Sequence, residues 1–507
     1  MKKIIYSLGV MGTVFLGACS KQLDQQPPST VTTDKFYSNT NDFNQAVTGA
    51  YNQLRDYPNQ VLWMGEMRSD NINAGSDGNR DWQGINDFSP NLTTTGFIVT
   101  AYDNNFNGVY NANSVLDALD KKGGNITDPA LRTRFGAEVR FLRAFYYFQL
   151  VRLYGQVPII DHVMSVQEVS KVPRGAVADV YKLIISDLQY AASNLPASYG
   201  AADVGRATSY AAKGLLGLVY MTRSGATYPN VNGPGLGLNE WGLAMAQFND
   251  IINSNAFTFG TNYPAIFSYT GENNKEVLFD VQYMTTNNGA SYPSMLVPTA
   301  YWSGLGLTSY GNGYGSCTFN VSNNLLNSYN NSAGALVDQR DTFNIQFKWN
   351  QGTPVVVDST NPFIKKYINV AKRGADYKDW PINFIVMRYT DILMMKAECI
   401  LHGASGGTQA DVDNIVKMVR QRAGLTALTN VDLPTLMEER RREFVGEGIR
   451  WNDLVREGMA VTTMNNWISS DAITTIGQVK AEFTIYPIPN AEILAVPGLY
   501  TQNPGYF

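Results

Sequence analysis

Along residues 131–154 apolar side chains return at every third or fourth position: Phe135, Val139, Leu142, Tyr146, Leu150 and Leu153. At 3.6 residues per turn these fall on one stripe of a helix, and so long a stripe has to be covered by further helices. The same periodicity predicts helices over 41–54 (with Asn41-Asp42 at its start), 102–119, 176–192, 209–222, 241–253, 388–401, 411–422 and 434–446. In the 209–222 segment, Ala211, Ala212, Gly214 and Gly217 put small residues where two helices can approach closely. The expected fold class is therefore predominantly α-helical, built from tetratricopeptide-like helix pairs; no contiguous 34-residue period is present, so long insertions must separate them.

Composition removes several function classes. The chain has 507 residues, 44% hydrophobic, enough for a sizeable core. With 39 Lys+Arg against 43 Asp+Glu and no basic stripe, no nucleic-acid partner is expected. His162 and His402 are the only histidines, so a three-histidine metal site is impossible. The cysteines at 19, 317 and 399 form no Cys-x-x-Cys pair, and no metal or cofactor is expected. The Asn-, Asp- and Gly-rich stretch 70–81 offers oxygen ligands for calcium but lacks EF-hand spacing.

The N-terminus assigns a compartment. Lys2 and Lys3 precede a mostly apolar run, 4–18, too short for a membrane span but suited to a signal-peptide core. Leu16-Gly17-Ala18-Cys19 resembles a bacterial lipobox, which makes Cys19 the expected lipidation site and membrane anchor. The expected organisation is a signal peptide over 1–18, a lipidated tether over 19–33, and one domain over 34–507. Within it, a helical scaffold occupies 34–253 and 384–460, and a loop-rich insertion occupies 257–383.

That insertion contains a window, Val281 to Val337, without a single Asp, Glu, Lys or Arg, yet with Tyr283, Tyr292, Tyr301, Trp302, Tyr310 and Tyr314. Two readings fit: internal packing with one face against another subunit, or an aromatic platform for a neutral ligand such as a sugar, whose C–H faces pack on rings.

The densest charge lies in Glu439-Arg440-Arg441-Arg442-Glu443-Phe444-Val445-Gly446-Glu447-Gly448-Ile449-Arg450-Trp451-Asn452-Asp453-Leu454. Glu443 and Glu447 share a helix face, as the carboxylate pair of a glycosidase would. The surrounding arginines lower carboxylate pKa values, where a general acid needs one raised, so a buried arginine–carboxylate lattice is the better account.

This block, with Arg456, resembles the E-R-R-x-E-x-x-x-E-G-x-R-x-x-D-L-x-R signature of the SusD/RagB family of outer-membrane lipoproteins. Ala137 to Tyr147 with Leu153-Tyr154-Gly155 and Val157-Pro158, Arg388 to Glu398, Leu23-Asp24 with Phe36-Tyr37, and Tyr486-Pro487-Ile488-Pro489 to Gln502-Asn503-Pro504-Gly505-Tyr506 are similar to its other blocks, in order. The resemblance implies a tetratricopeptide-like scaffold carrying a loop-rich, variable ligand-binding half. It also implies a non-enzymatic role: binding an oligosaccharide at the cell exterior and delivering it to a SusC-like TonB-dependent transporter. Peptide capture and a non-binding structural lid are the alternatives. Ligand residues do not carry over by motif, so they are chosen by chemistry: Trp82, Tyr301 and Trp302 as platform rings, and Asp70, Asn71 and Arg80 as hydrogen-bonding groups.

Overall fold

The computed structural model describes residues 36–75, 81–286, 288–311, 318–333, 336–351, 356–358 and 360–507. Cys19 with the signal run and tether, Arg80, Tyr314 and Cys317 lie outside the described residues. Helices of at least seven residues are α1 Thr40–Tyr51, α2 Gly96–Lys122, α3 Pro129–Tyr154, α4 Val177–Asn194, α5 Ser209–Ser224, α6 Trp241–Asn253, α7 Asn323–Ala333, α8 Tyr389–Leu401, α9 Gln409–Arg422, α10 Leu433–Phe444, α11 Arg450–Arg456 and α12 Ala460–Ser470. Strands of at least four residues are β1 Ile72–Gly75, β2 Val277–Val281, β3 Thr318–Val321 and β4 Phe384–Arg388.

Local chemistry sets the helix starts. Asn39, rather than the expected Asn41-Asp42, caps α1, its side chain accepting from the amides of Asn41 and Asp42. Asp128 caps α3 with Pro129 in the first turn, and Thr408 and Asp411 form a capping box on α9. The chain then stacks its helices in order: α2 on α3, α3 on α4, α4 on α5, α5 on α6, α6 on α8 and α8 on α9. This is the tetratricopeptide-like arrangement expected from the helical periodicity. α6 and α8 are neighbours although residues 254–388 lie between them. The antiparallel pair of β2 and β4, with Val281 opposite Phe384, joins the two ends of that long excursion.

The central helix departs from the single apolar stripe. From Phe135 to Tyr154, α3 is buried on every face except at Arg140 and Arg152, because α2 and α4 cover opposite sides. Its buried Arg143 holds both neighbours, donating to the Asp187 carboxylate of α4 at 2.7 and 2.9 Å and to Asn113 Oδ1 of α2 at 2.8 Å. Close approach in α5 uses the expected glycines: a Cβ on Gly214 would overlap Met387, and one on Gly217 would overlap the Phe248 ring of α6.

The arginine-rich block forms a continuous buried lattice between α10, α11 and the rest of the chain. Glu443 accepts from Arg388 at 2.8 Å, Arg422 at 2.6 Å and Arg340 at 3.2 Å. Glu439 pairs with Arg340, Arg442 and Arg420 at 2.7, 2.8 and 3.1 Å. Glu447 takes Arg388 at 2.9 Å and Lys366 at 2.5 Å. Arg456 clasps Glu398 on α8, and Arg440 bridges Asp391 and Asp453. Burial by itself would raise the Glu439 carboxyl, but the guanidiniums of Arg340 and Arg442 outweigh it and hold the group at about 2. Glu443 is likewise held ionised against its burial by Arg422, Arg388 and Arg340. Neither Glu443 nor Glu447 has the raised pKa of a general acid.

Two tests follow from this packing. Ala at position 217 has to displace a buried ring, at a cost of about 1–3 kcal/mol against about 1 kcal/mol of helix propensity gained, so Gly217→Ala is expected to destabilise. Gly49 in α1 has open space where a Cβ would sit, and Gly49→Ala should stabilise by about 0.5–1 kcal/mol. Urea unfolding of both variants checks the two signs. Glu439→Gln strands buried guanidiniums and should cost about 3–5 kcal/mol at pH 7. The folded pKa of Glu439 lies below the unfolded value of about 4.3, so its contribution is complete above that value and is lost as pH falls toward 2. At pH 3 the deficit of Glu439→Gln should therefore shrink by about 2 kcal/mol, from about 1.3 pH units at 1.36 kcal/mol each. A deficit that is the same at both pH values would show that Glu439 is not held in this way.

Candidate functional site

Residues 72–75 and 318–321, from the stretch 70–81 and the window 281–337 singled out separately by sequence, meet in space. β1 and β3 form an antiparallel ribbon, with Ile72 opposite Val321, Asn73 opposite Asn320 and Ala74 opposite Phe319. Strand alternation sorts the side chains: Ile72, Ala74, Phe319 and Val321 are buried, while Asn73 and Asn320 lie on the other, partly exposed face. The ribbon is held at both ends of the chain order. The Ser322 amide donates to the Asn71 carbonyl at 2.9 Å, and Ser322 Oγ donates to the Asp70 carbonyl at 2.6 Å. Arg441 of α10 then donates to Asn71 Oδ1 at 2.8 Å, to the Asp70 carbonyl at 2.7 Å and to Asn324 Oδ1 on α7 at 2.7 Å. One lattice arginine thus fixes both the root of the ribbon and the start of the next helix.

On the outer face of the ribbon lies a cleft of about 380 Å³, within the size range of small-ligand sites. Its walls are Asn73, Asn320 and Asn323, the hydroxyl of Thr360, and the apolar Leu326, Phe347 and Pro362, with Lys348 and Asp471 at opposite sign. Phe347 is 37% exposed, so part of its ring is open to solvent. Asn320 Nδ2 donates to Asn361 Oδ1 at 3.0 Å, while its buried Oδ1 has no hydrogen-bond partner among the described residues. Asp358 orders the opposite wall by accepting from the amides of Thr360 and Asn361 and from Asn361 Nδ2. Neutral amides and a hydroxyl beside an exposed ring match a polar, uncharged ligand with an apolar face.

Of the residues chosen by chemistry from the sequence, Arg80 lies outside the described residues, none of the others lines this cleft, and four require correction. Trp82 is 1% exposed, packed with Trp63 and Phe319 behind the ribbon. Trp302 is fully buried among Tyr301, Tyr310 and Trp380. Neither ring presents a face to a ligand. Asp70 belongs to the lattice, its carboxylate taken by Arg450 at 2.9 Å to both oxygens and by Arg441 at 3.1 Å, so it is not available to a sugar or to calcium. Asn71 is also buried, donating to Glu66 at 2.8 Å and accepting from Arg441. Tyr301 is half-buried, its ring against Trp349 and Phe363. Most rings of the neutral window are interior, since Tyr292, Trp302, Tyr310, Phe319 and Tyr329 lie in the core, while Met284, Leu305, Leu336 and Val337 are exposed. Among the described residues no cluster of His, Cys, Asp and Glu is arranged to hold a metal, and no helix is long and apolar enough to cross a membrane.

The residues that the sequence reading missed are Asn73, Asn320 and Phe347. For Asn73 and Asn320 the signal was the alternation in INAG and TFNV, where an Asn interrupts apolar neighbours at period two; Phe347 carried no such signal.

Comparison with known proteins agrees with this architecture. Residues 21–221 match the family model described as "Starch-binding associating with outer membrane", and residues 350–506 match the "SusD family" model. A SusD-like protein of Bacteroides ovatus is 26% identical over 537 residues, covering 99% of this chain and 92% of the relative. A solved "Laminarin binding SusD-like protein" superposes with a TM-score of 0.76 at 24% identity, covering 93% of this chain and all of that one. Surface glycan-binding protein A from Bacteroides thetaiotaomicron, solved in complex with laminarihexaose, gives 0.75 at 22% identity, covering 92% of this chain and all of that one. The helix stack, the order of the motifs and both family models lead to one conclusion: the chain is a member of the SusD/RagB family.

Proposed function

We propose that this protein is a lipid-anchored surface protein of the outer membrane that captures a neutral oligosaccharide and delivers it, unaltered, to a SusC-like TonB-dependent transporter. The observation that carries the reading is the outer cleft of the β1–β3 ribbon, where Asn73, Asn320 and Thr360 surround the exposed ring of Phe347. A hexose has the matching surface, hydroxyls around its rim and C–H groups on its faces. The pairing of one lysine with one aspartate at the cleft leaves it without net charge, which suits a neutral glycan. Support also comes from relatives whose names record binding of laminarin and laminarihexaose, and from a family description that places starch binding at the outer membrane. A binding role without catalysis accords with the commitment of Glu443 and Glu447 to guanidiniums. Tyr301 remains a proposed platform ring and Arg80 a proposed hydrogen-bonding group. Cys19 is the proposed anchor, residues 20–33 the tether, and 257–383 the ligand-binding insertion.

A glycan array probed with the full chain in detergent is the direct test. Binding to at least one neutral oligosaccharide is expected. Binding to none, while a complex with the transporter still forms, would leave only a structural lid; binding to peptides alone would favour peptide capture. On an array hit, Phe347→Ala should weaken affinity by about fivefold, the loss of about 1 kcal/mol of ring contact, with the melting temperature unchanged. For the anchor, Cys19→Ala should release the protein from the membrane fraction without unfolding it, and full retention of that variant would overturn lipidation at this position.

A further inference from the structure

A second and larger cleft, about 790 Å³, lies between α7, α10 and α12. Its upper walls are Asn324, Asn327 and Ser328 from α7, Thr435 from α10, and Thr463 and Asn466 from α12. Arg441 and Arg442 border it, yet the charges nearby are already matched. Arg441 pairs with Asp70 and Glu438, Arg442 with Glu439, and Arg450 with Asp70 and Glu438. Arg420, Asp70 and Glu438 line the cleft too, and Arg420 is taken by Glu439, so each lining guanidinium already has a carboxylate partner and the cleft is not built to select an anion.

What it offers in surplus is neutral hydrogen-bonding capacity from the amides and hydroxyls of its lining. Arg442 is 6% exposed, and its terminal nitrogens are already engaged, donating to Ser328 Oγ at 2.9 Å and Glu439 at 2.8 Å.

We infer that this cleft is a second site for the same neutral oligosaccharide, on a neighbouring face of α7 from the ribbon cleft; the inference rests on the glycan-binding reading. α7 is the shared wall. Asn323 and Leu326 line the ribbon cleft, whereas Asn324, Asn327 and Ser328 line this one. At 3.6 residues per turn the two faces are about 120° apart round a helix about 10 Å across, so a chain of several linked sugar units runs from one cleft to the other while a disaccharide occupies one. Long chains therefore engage both clefts, the second contact gaining from the high local concentration set by the first, and short chains engage one.

The test is calorimetry on the full chain in detergent with laminarihexaose and maltohexaose, each set against its own disaccharide. Asn327 and Asn466 are exposed, so Asn327→Ala/Asn466→Ala removes cleft contacts without touching the core, and a thermal melt verifies the fold. The double variant is expected to lose at least fivefold in affinity for the hexaose it binds while its affinity for the disaccharide stays at the wild-type value. Phe347→Ala should weaken both lengths. Wild-type hexaose affinity in the double variant would overturn the second site, and if Phe347→Ala still weakened binding, the glycan-binding reading would stand without it. A wild-type chain that binds neither hexaose also overturns the second site, and the array then decides the broader reading by itself.

Discussion

The buried contacts of Asp70, Arg441 and Arg450 are the constraint on which the remaining architecture depends. Asp70 sits directly before β1, and its partners come from α10 and α11 near the other end of the chain. Charges this deep are stable only when each is answered by an opposite charge in good geometry. Here every carboxylate of the lattice meets at least one guanidinium or ammonium, and several guanidiniums reach two carboxylates. Such a network has one register. Moving α10 by a single residue would strand a charge at several positions together, so the lattice dictates how the helical stack meets the loop-rich half.

The binding half borrows its order from that arrangement. Its strands are short, and two-stranded ribbons are marginal in water when left alone. The β1–β3 ribbon persists because its inner face joins Trp63, Trp82 and Phe97 in the core, and because Arg441 holds its root. The ribbon surface, the α7 helix and the two clefts beside it can then vary in side chain while their backbone stays fixed. A rigid charged frame under a neutral, changeable surface suits a protein that selects ligands by hydrogen bonding.

Much of the scaffold could be read from the residues. Helix stripes such as that of α6, the small residues of α5 and the lattice reading of the arginine-rich block are borne out by the structure. The ligand surface was harder to read because residue type does not separate inner from outer rings. Trp82 and Trp302 are large, flat and partly polar, and so is a good platform residue; only their neighbours reveal that they are enclosed. Asp70 looked like a ligand group because its guanidinium partners are hundreds of residues away. Conversely, nothing in the residues around Phe347 marks its ring as exposed, and the Asn73–Asn320 pair sits in strands too short for alternation to stand out.

The ribbon cleft has a further meaning for how the chain matures. Ser322 and Asp70 are 252 positions apart, and Arg441 and Asn71 are 370 apart, whereas most scaffold contacts join successive helices. Local contacts form readily, and distant ones must wait until the intervening chain has been gathered in. The helical stack can assemble piece by piece, but the cleft exists only after the last long-distance closure. The cleft is thus a property of the completed molecule alone, and a chain arrested part-way would carry much of its helical content without it.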